Sequence, residues 1–124
     1  MTHATTQEIA QFNVLLEVTI SAPIATVFES VLAEMGPEGE MPDGTSFPMV
    51  LEPWPGGRWY RDLGDNAGHW WGTIQVIKPP TLLEIAGPMF MSFPVSSHMQ
   101  YRLKAQGASP LLTITHRVAG LRSG

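Results

Sequence analysis

The stretch 11-QFNVLLEVTISAPIATVFESVL-32 changes its hydrophobic period once, and that change decides the fold. Phe12, Val14, Leu16, Val18 and Ile20 share one parity, the spacing of a strand with one apolar face. From Ile24 onward the spacing is helical: Ile24, Val27, Phe28, Val31 and Leu32 fall at i, i+3, i+4, i+7 and i+8, one apolar stripe. The junction is Ser21-Ala22-Pro23. Ser21 can accept from free N–H groups of a first helical turn, and Pro23 fits where no N–H is needed. Gly36-Pro37 ends the pattern. The reading is a strand over Gln11 to Ile20, then a helix from about Ala22 to Met35.

Downstream, short apolar runs alternate with turn residues. Glu38 to Phe47 is loop-like, with room for a short helical turn. Strands are expected at Met49 to Glu52, Arg58 to Asp62, His69 to Lys78, Thr81 to Ala86, Ser97 to Lys104 and Leu111 to Val118. Met89 to Pro94 is apolar but irregular. Consecutive strands joined by short turns pair antiparallel. The expected fold class is α+β, a curved antiparallel sheet with one N-terminal helix, in a single domain spanning 1–124.

Composition narrows the function classes. The chain has 124 residues, 44% of them hydrophobic, enough for one packed core. Its 7 Lys and Arg form no basic block and the net charge is -4, which argues against a nucleic-acid footprint and against a polybasic membrane contact. There is no Cys, so thiolate catalysis, disulfides and Cys-ligated zinc are excluded. Met1 to Gln11 does not read as a signal peptide, and no apolar stretch is long enough to span a bilayer. The expectation is a cytoplasmic protein.

Several local motifs, in order, resemble the START-like superfamily, also called SRPBCC or Bet v 1-like, with its helix-grip fold. They are Ser21-Ala22-Pro23-Ile24 with Val27-Phe28, then Met49 to Trp59 (MVLEPWPGGRW), then Gly68-His69-Trp70-Trp71-Gly72. Val76-Ile77-Lys78-Pro79-Pro80 with Leu82-Leu83-Glu84, and Thr115-His116-Arg117, complete the set. Within the superfamily the chain is most similar to bacterial homologues of the activator of heat-shock-protein-90 ATPase. The resemblance implies a cavity between sheet and helix that takes an apolar molecule. Some members are cyclases or hydrolases, and some bind proteins. In the family a long C-terminal helix covers the sheet. Here only Val118 to Gly124 follows Thr115-His116-Arg117, and about seven residues at 1.5 Å each make no such helix. The C-terminal helix is therefore expected to be truncated.

Among residues that carry chemistry, His69, His98 and His116 lie on three expected strands. With Glu52 or Glu84 they could make a zinc or iron site, but no HExxH and no close ligand pair supports one. No metal or other cofactor is expected. By parity His98 shares a solvated face with Gln100, Arg102 and Lys104, whereas His116 shares a face with Leu112 and Ile114 and is expected to bond to backbone. Glu52 and Glu84 interrupt apolar strands, and each is expected to pair with Arg58 or Arg61. Asp62 and Asp65 read as turn residues. No serine sits in a GxSxG elbow, and no Lys-Ser or Lys-Thr follows the glycines to make a phosphate loop. Trp70 and Trp71 are consecutive, so a strand sends them to opposite faces.

The resulting expectation is non-enzymatic binding of a small apolar ligand beside the sheet. Trp59, Trp70, Ile74, Met99, Tyr101, Ile114 and His116 would form the wall, and His116 or Arg58 would be the polar handle. The alternatives are a protein-interaction module of the heat-shock activator type, with a patch at Trp54 to Trp59, and a cyclase or hydrolase acting through His116 or Glu84. A sheet face without its covering helix exposes more apolar surface than a monomer normally tolerates. A homodimer burying Trp and Met side chains about a two-fold axis is the expected remedy.

Overall fold

A computed structural model of the chain describes residues 7–89 and 95–123. The order is β1 (Gln7–Thr19), α1 (Ile24–Met35), β2 (Val50–Leu51), β3 (Arg58–Gly64), β4 (Ala67–Lys78), β5 (Leu82–Gly87), β6 (Val95–Lys104) and β7 (Leu111–Ser123). All seven strands join one antiparallel sheet in the order β1-β7-β6-β5-β4-β3-β2. Consecutive strands are neighbours from β2 to β7, and β1 closes onto β7. This is a curved α+β helix-grip sheet, as the strand–helix switch implied. Of the irregular run expected at Met89 to Pro94, only Met89 lies among the described residues.

Helix α1 lays its stripe on the sheet. Val27 and Phe28 are buried, with Ile24, Val31 and Leu32 packed partly buried against the same core. Burying one such side chain contributes roughly 1.5–3 kcal/mol. The helix starts two residues later than expected, and its N-cap is Pro23, with no side-chain cap. Ser21 does not cap it. The Ser21 hydroxyl instead shares a 3.3 Å hydrogen bond with the Ser109 hydroxyl, across to the turn before β7. After the helix, Glu38 to Phe47 has no helical turn and is closed by the bridge Glu40↔Ser46.

The end of α1 is held by a tryptophan. A helix leaves its last carbonyls without intrahelical donors. The buried indole N–H of Trp59 on β3 donates to the Met35 carbonyl at 2.7 Å. Opposite Trp59, strand β4 carries a bulge: Trp59 pairs with Gly72 and Tyr60 with Trp70, so Trp71 is the extra residue. A bulge re-aims a side chain. Here it turns Trp71 inward, where it meets Trp59 edge to face at 5.3 Å and stacks on Phe47 at 5.9 Å. Two glycines make the room. A Cβ on Gly72 would meet Ile85 Cγ2 at 2.8 Å, and one on Gly87 would collide with the Trp71 carbonyl oxygen.

The β3–β4 hairpin turns on Asp65 and Asn66, both at positive φ (52° and 62°), the conformation of a two-residue turn whose twist matches the strands. The two strands thus run past the expected bounds at Asp62 and His69 and meet in a turn of two residues.

Two consequences follow for stability. Trp59→Phe keeps most of the packing but leaves the Met35 carbonyl without its indole donor. It should cost about 1–3 kcal/mol in urea unfolding, with an unchanged slope. Gly87→Ala should cost about 1–3 kcal/mol by overpacking against the Trp71 backbone, whereas Gly44→Ala, in open space, should not show that clash.

Candidate functional site

Cross-strand register sorts the side chains into faces, because directly paired residues lie on the same side of a sheet. On the α1 side, Val14, His116, Met99, Ile85 and Ile74 form one row across five strands. Leu16, Ile114, Tyr101, Leu83 and Ile77 form the next. Ile74, Leu83 and Ile85 are fully buried under α1. Toward β7 and β1 the cover thins: Met99, Tyr101, Ile114 and His116 are half-buried, and Val14 and Leu16 are more than half exposed. The result is an apolar wall that is deep at β5 and open at β1.

Polar atoms on this wall are few and poorly partnered. Ser97 pairs with Val118, one step along the sheet from the Met99↔His116 pair, so Ser97 and His116 are diagonal neighbours. Ser97 is only 2% exposed, yet its hydroxyl has no hydrogen-bond partner. The buried Nε2 of His116 also has none, which corrects the expectation of a histidine bonded to backbone. Burial lowers the His116 pKa below its ordinary value of 6.5. Burial also pushes the Tyr101 phenol up to about 12, with the Glu34 carboxylate adding to the effect. At neutral pH the wall thus presents an uncharged imidazole, an uncharged phenol and a free hydroxyl.

The sequence-expected residues divide between the faces. Ile74, Met99, Tyr101, Ile114 and His116 come together on the wall, and Trp59 lies further along the same side, buried beneath the end of α1. Arg58 and Trp70 do not join them. Trp70 pairs with Tyr60, is half exposed, and lines a surface hollow with Arg58, Arg61 and His69. Arg58 is committed to Glu52: its Nε and Nη2 donate to the two carboxylate oxygens at 2.9 and 3.0 Å, and its backbone N–H donates at 2.8 Å. These bonds hold Glu52 down at about 2. The guanidinium also lies 4.6 Å from the Tyr60 ring centre.

Glu84 does not pair with an arginine. Its Oε1 is 2.8 Å from His98 Nε2 on the face away from α1, so His98 is partnered there rather than simply solvated. Arg61 stacks 3.8 Å over Phe47 and donates to the Pro48 carbonyl at 3.3 Å. Among the described residues no three His, Asp or Glu side chains gather where they could hold a metal ion. Within the same residues no helix is long and apolar enough to cross a membrane. Ser97 was missed at the sequence level, although its parity with Met99, Tyr101 and Leu103 already placed it on the apolar face.

No family model matches the chain, and no curated protein matches it. Solved structures do. A protein from Rhizobium leguminosarum superposes with TM-score 0.66 at 18% identity, over 94% of this chain and 82% of its own. CalU16 from Micromonospora echinospora gives 0.61 at 21%, over 90% and 69%. Ara h 8.0201 gives 0.63 at 13%, over 88% and 78%. At these identities the likeness is one of fold. The architecture is the helix-grip α+β fold seen in Bet v 1-like neighbours.

The wall's two shifted groups give stability a defined pH dependence. A histidine with a depressed pKa binds its proton more readily when unfolded, so its contribution is complete above about 6.5 and is lost as pH falls toward the folded value. A phenol raised to about 12 ionises first in the unfolded chain, so stability falls between pH 10 and about 12. Urea midpoints measured against pH should show both limbs. His116→Gln should flatten the acid limb relative to the unsubstituted chain, and Tyr101→Phe the alkaline one.

Proposed function

We propose that the chain binds one small, mostly apolar molecule with a single polar group against the half-buried part of the wall, Met99, Tyr101, Ile114 and His116, with Ile74 sealed behind it, and does not transform it. The observation that carries this reading is the pair of buried, unpartnered polar atoms on that wall, Ser97 Oγ and His116 Nε2. Leaving such an atom unpaired costs on the order of 1–3 kcal/mol, which a ligand hydroxyl or carbonyl would recover. Binding sites for small molecules combine apolar walls with a few orienting polar groups in this way. Arg58 is no polar handle in this reading, because Glu52 occupies its guanidinium.

The cyclase or hydrolase reading has less support. Its two named groups, His116 and Glu84, stand on opposite faces, and Glu84 is engaged by His98. A general base needs a partner to orient it and a reacting atom within reach. The protein-binding reading of the heat-shock activator type has its patch at Trp54 to Trp59, where Trp54 is half exposed but Trp59 is buried.

Titration with 2-naphthol and with naphthalene, followed by fluorescence, tests the proposal. Both should bind, 2-naphthol about tenfold more tightly, as one good hydrogen bond allows. Ile114→Trp, which fills the wall, should weaken both at least tenfold. Ser97→Ala with His116→Phe should erase the preference for 2-naphthol while sparing naphthalene. Trp54→Ala should change neither. Unaltered binding in the Ile114 variant would overturn the reading and move attention to the exposed tryptophans.

A further inference from the structure

The two edges of the sheet are built differently. At one edge, β2 is two residues long and flanked by Pro48 and Pro53, a short and interrupted edge that offers little to a further strand. At the other, β1 runs for 13 residues, pairs with β7 in unbroken register from Gln7↔Ser123 to Thr19↔Leu111, and contains no proline and no lysine. Its described side chains are apolar on the α1 side, whereas the other side carries Leu15 between Asn13, Glu17 and Thr19. Val14, Leu16 and Val18 on the α1 side are 57%, 52% and 37% exposed, and Leu15 on the other side is 63% exposed. Proteins normally blunt such an edge with charge, proline or a bulge. Here the described part carries Glu17 as its single charge.

The ladder also fixes which backbone groups are free. Ile20 N–H donates to the Pro110 carbonyl at 3.1 Å, so the main chain of Ile20 faces β7. In an antiparallel pair this alternates residue by residue. Val18, Leu16 and Val14 therefore also spend their N–H and C=O on β7. Asn13, Leu15, Glu17 and Thr19 point theirs out of the sheet.

We propose that β1 pairs antiparallel with β1 of a second copy, about a two-fold axis at Leu15, joining two sheets into one. In this register Leu15 faces Leu15, Leu16 faces Val14, and Glu17 faces Asn13. Every described pair is apolar with apolar or carboxylate with amide. The neighbouring registers are worse. An axis at Glu17 sets carboxylate against carboxylate, which is destabilising. An axis at Leu16 puts Leu15 against Glu17. The outward N–H and C=O groups of Leu15, Glu17 and Asn13 then bond in the pattern an antiparallel pair requires. The interface is isologous, as a two-fold demands. It uses none of Trp59, Trp71 or Met89, which the chain buries within itself, and it stands independently of the ligand reading.

The chain contains no cysteine, so single introduced thiols report on this interface alone. Leu15→Cys, oxidised with copper phenanthroline, should link to itself. Paired residues of this kind lie about 5.5 Å apart at Cα, within the range a disulfide spans. Asn13→Cys mixed with Glu17→Cys should give a mixed dimer in excess of either self-linked product. Light scattering behind size exclusion should give twice the 13.6 kDa of one chain at tens of micromolar, and Leu15→Lys should give a monomer with an unchanged circular dichroism spectrum. A monomeric unsubstituted chain would overturn the proposal. So would a dimer that survives Leu15→Lys, or one in which Cys at position 15 does not cross-link.

Discussion

The buried hydrogen bond from the Trp59 indole to the Met35 carbonyl fixes where the single described helix ends, and much else follows from that point. A helix end without a donor would carry an unpaired carbonyl into the core, at a cost of about 1–3 kcal/mol. By taking its donor from β3, α1 is tied to the β2–β3–β4 end of the sheet. The helix reaches only 12 residues, about 18 Å, so a cover anchored at that end cannot extend over all seven strands. Ile74, Leu83 and Ile85 fall beneath it and are sealed. Val14 and Leu16, at the opposite edge, are left in solvent. The graded wall is thus a consequence of one anchor and one helix length.

That anchor depends in turn on the bulge. Trp59 needs aromatic packing on the far side of its ring, and regular alternation on β4 would have supplied Gly72 alone. The extra residue at Trp71 fills the space, and the closely packed glycines at 72 and 87 let the backbones approach. Trp70 is displaced to the other face as a result. The separation of Trp70 from the wall has this origin: β4 sends only one of its two tryptophans inward. Arg58 faces away because it precedes the inward Trp59 on β3.

Much of this was legible in the sequence. The change of period near Ser21 located the strand-to-helix switch. Parity placed His116 with Leu112 and Ile114, and put Trp70 and Trp71 on opposite faces. What was not legible depends on pairing between distant segments. Parity cannot say which tryptophan turns inward, since that is set by a register shift against β3. The His98–Glu84 contact joins β6 to β5 and needs the register of both. The parity of Val14, Leu16 and Val18 correctly assigned a face but implied burial, whereas β1 ends the sheet, with β7 on one side and no described strand on the other. Ser97 was readable by the same parity argument as Met99. It passed unnoticed because a lone serine carries no motif.

The distribution of satisfied and unsatisfied polar groups separates the two faces more sharply than hydrophobicity does. Away from the wall, two acids are paired with bases: Glu52 with Arg58, Glu84 with His98. Exposed pairs of this kind add little to stability, so their effect is to occupy the groups and keep the outer side chemically quiet. On the wall, where an unpaired atom is costly, Ser97 Oγ and His116 Nε2 are left without partners. Selection for stability alone would favour the reverse, since alanine and an apolar ring would fill those positions at lower cost. On the proposed reading, these two open atoms are kept for a ligand that enters from outside. The half-covered wall between α1 and β1 is the route by which it would enter.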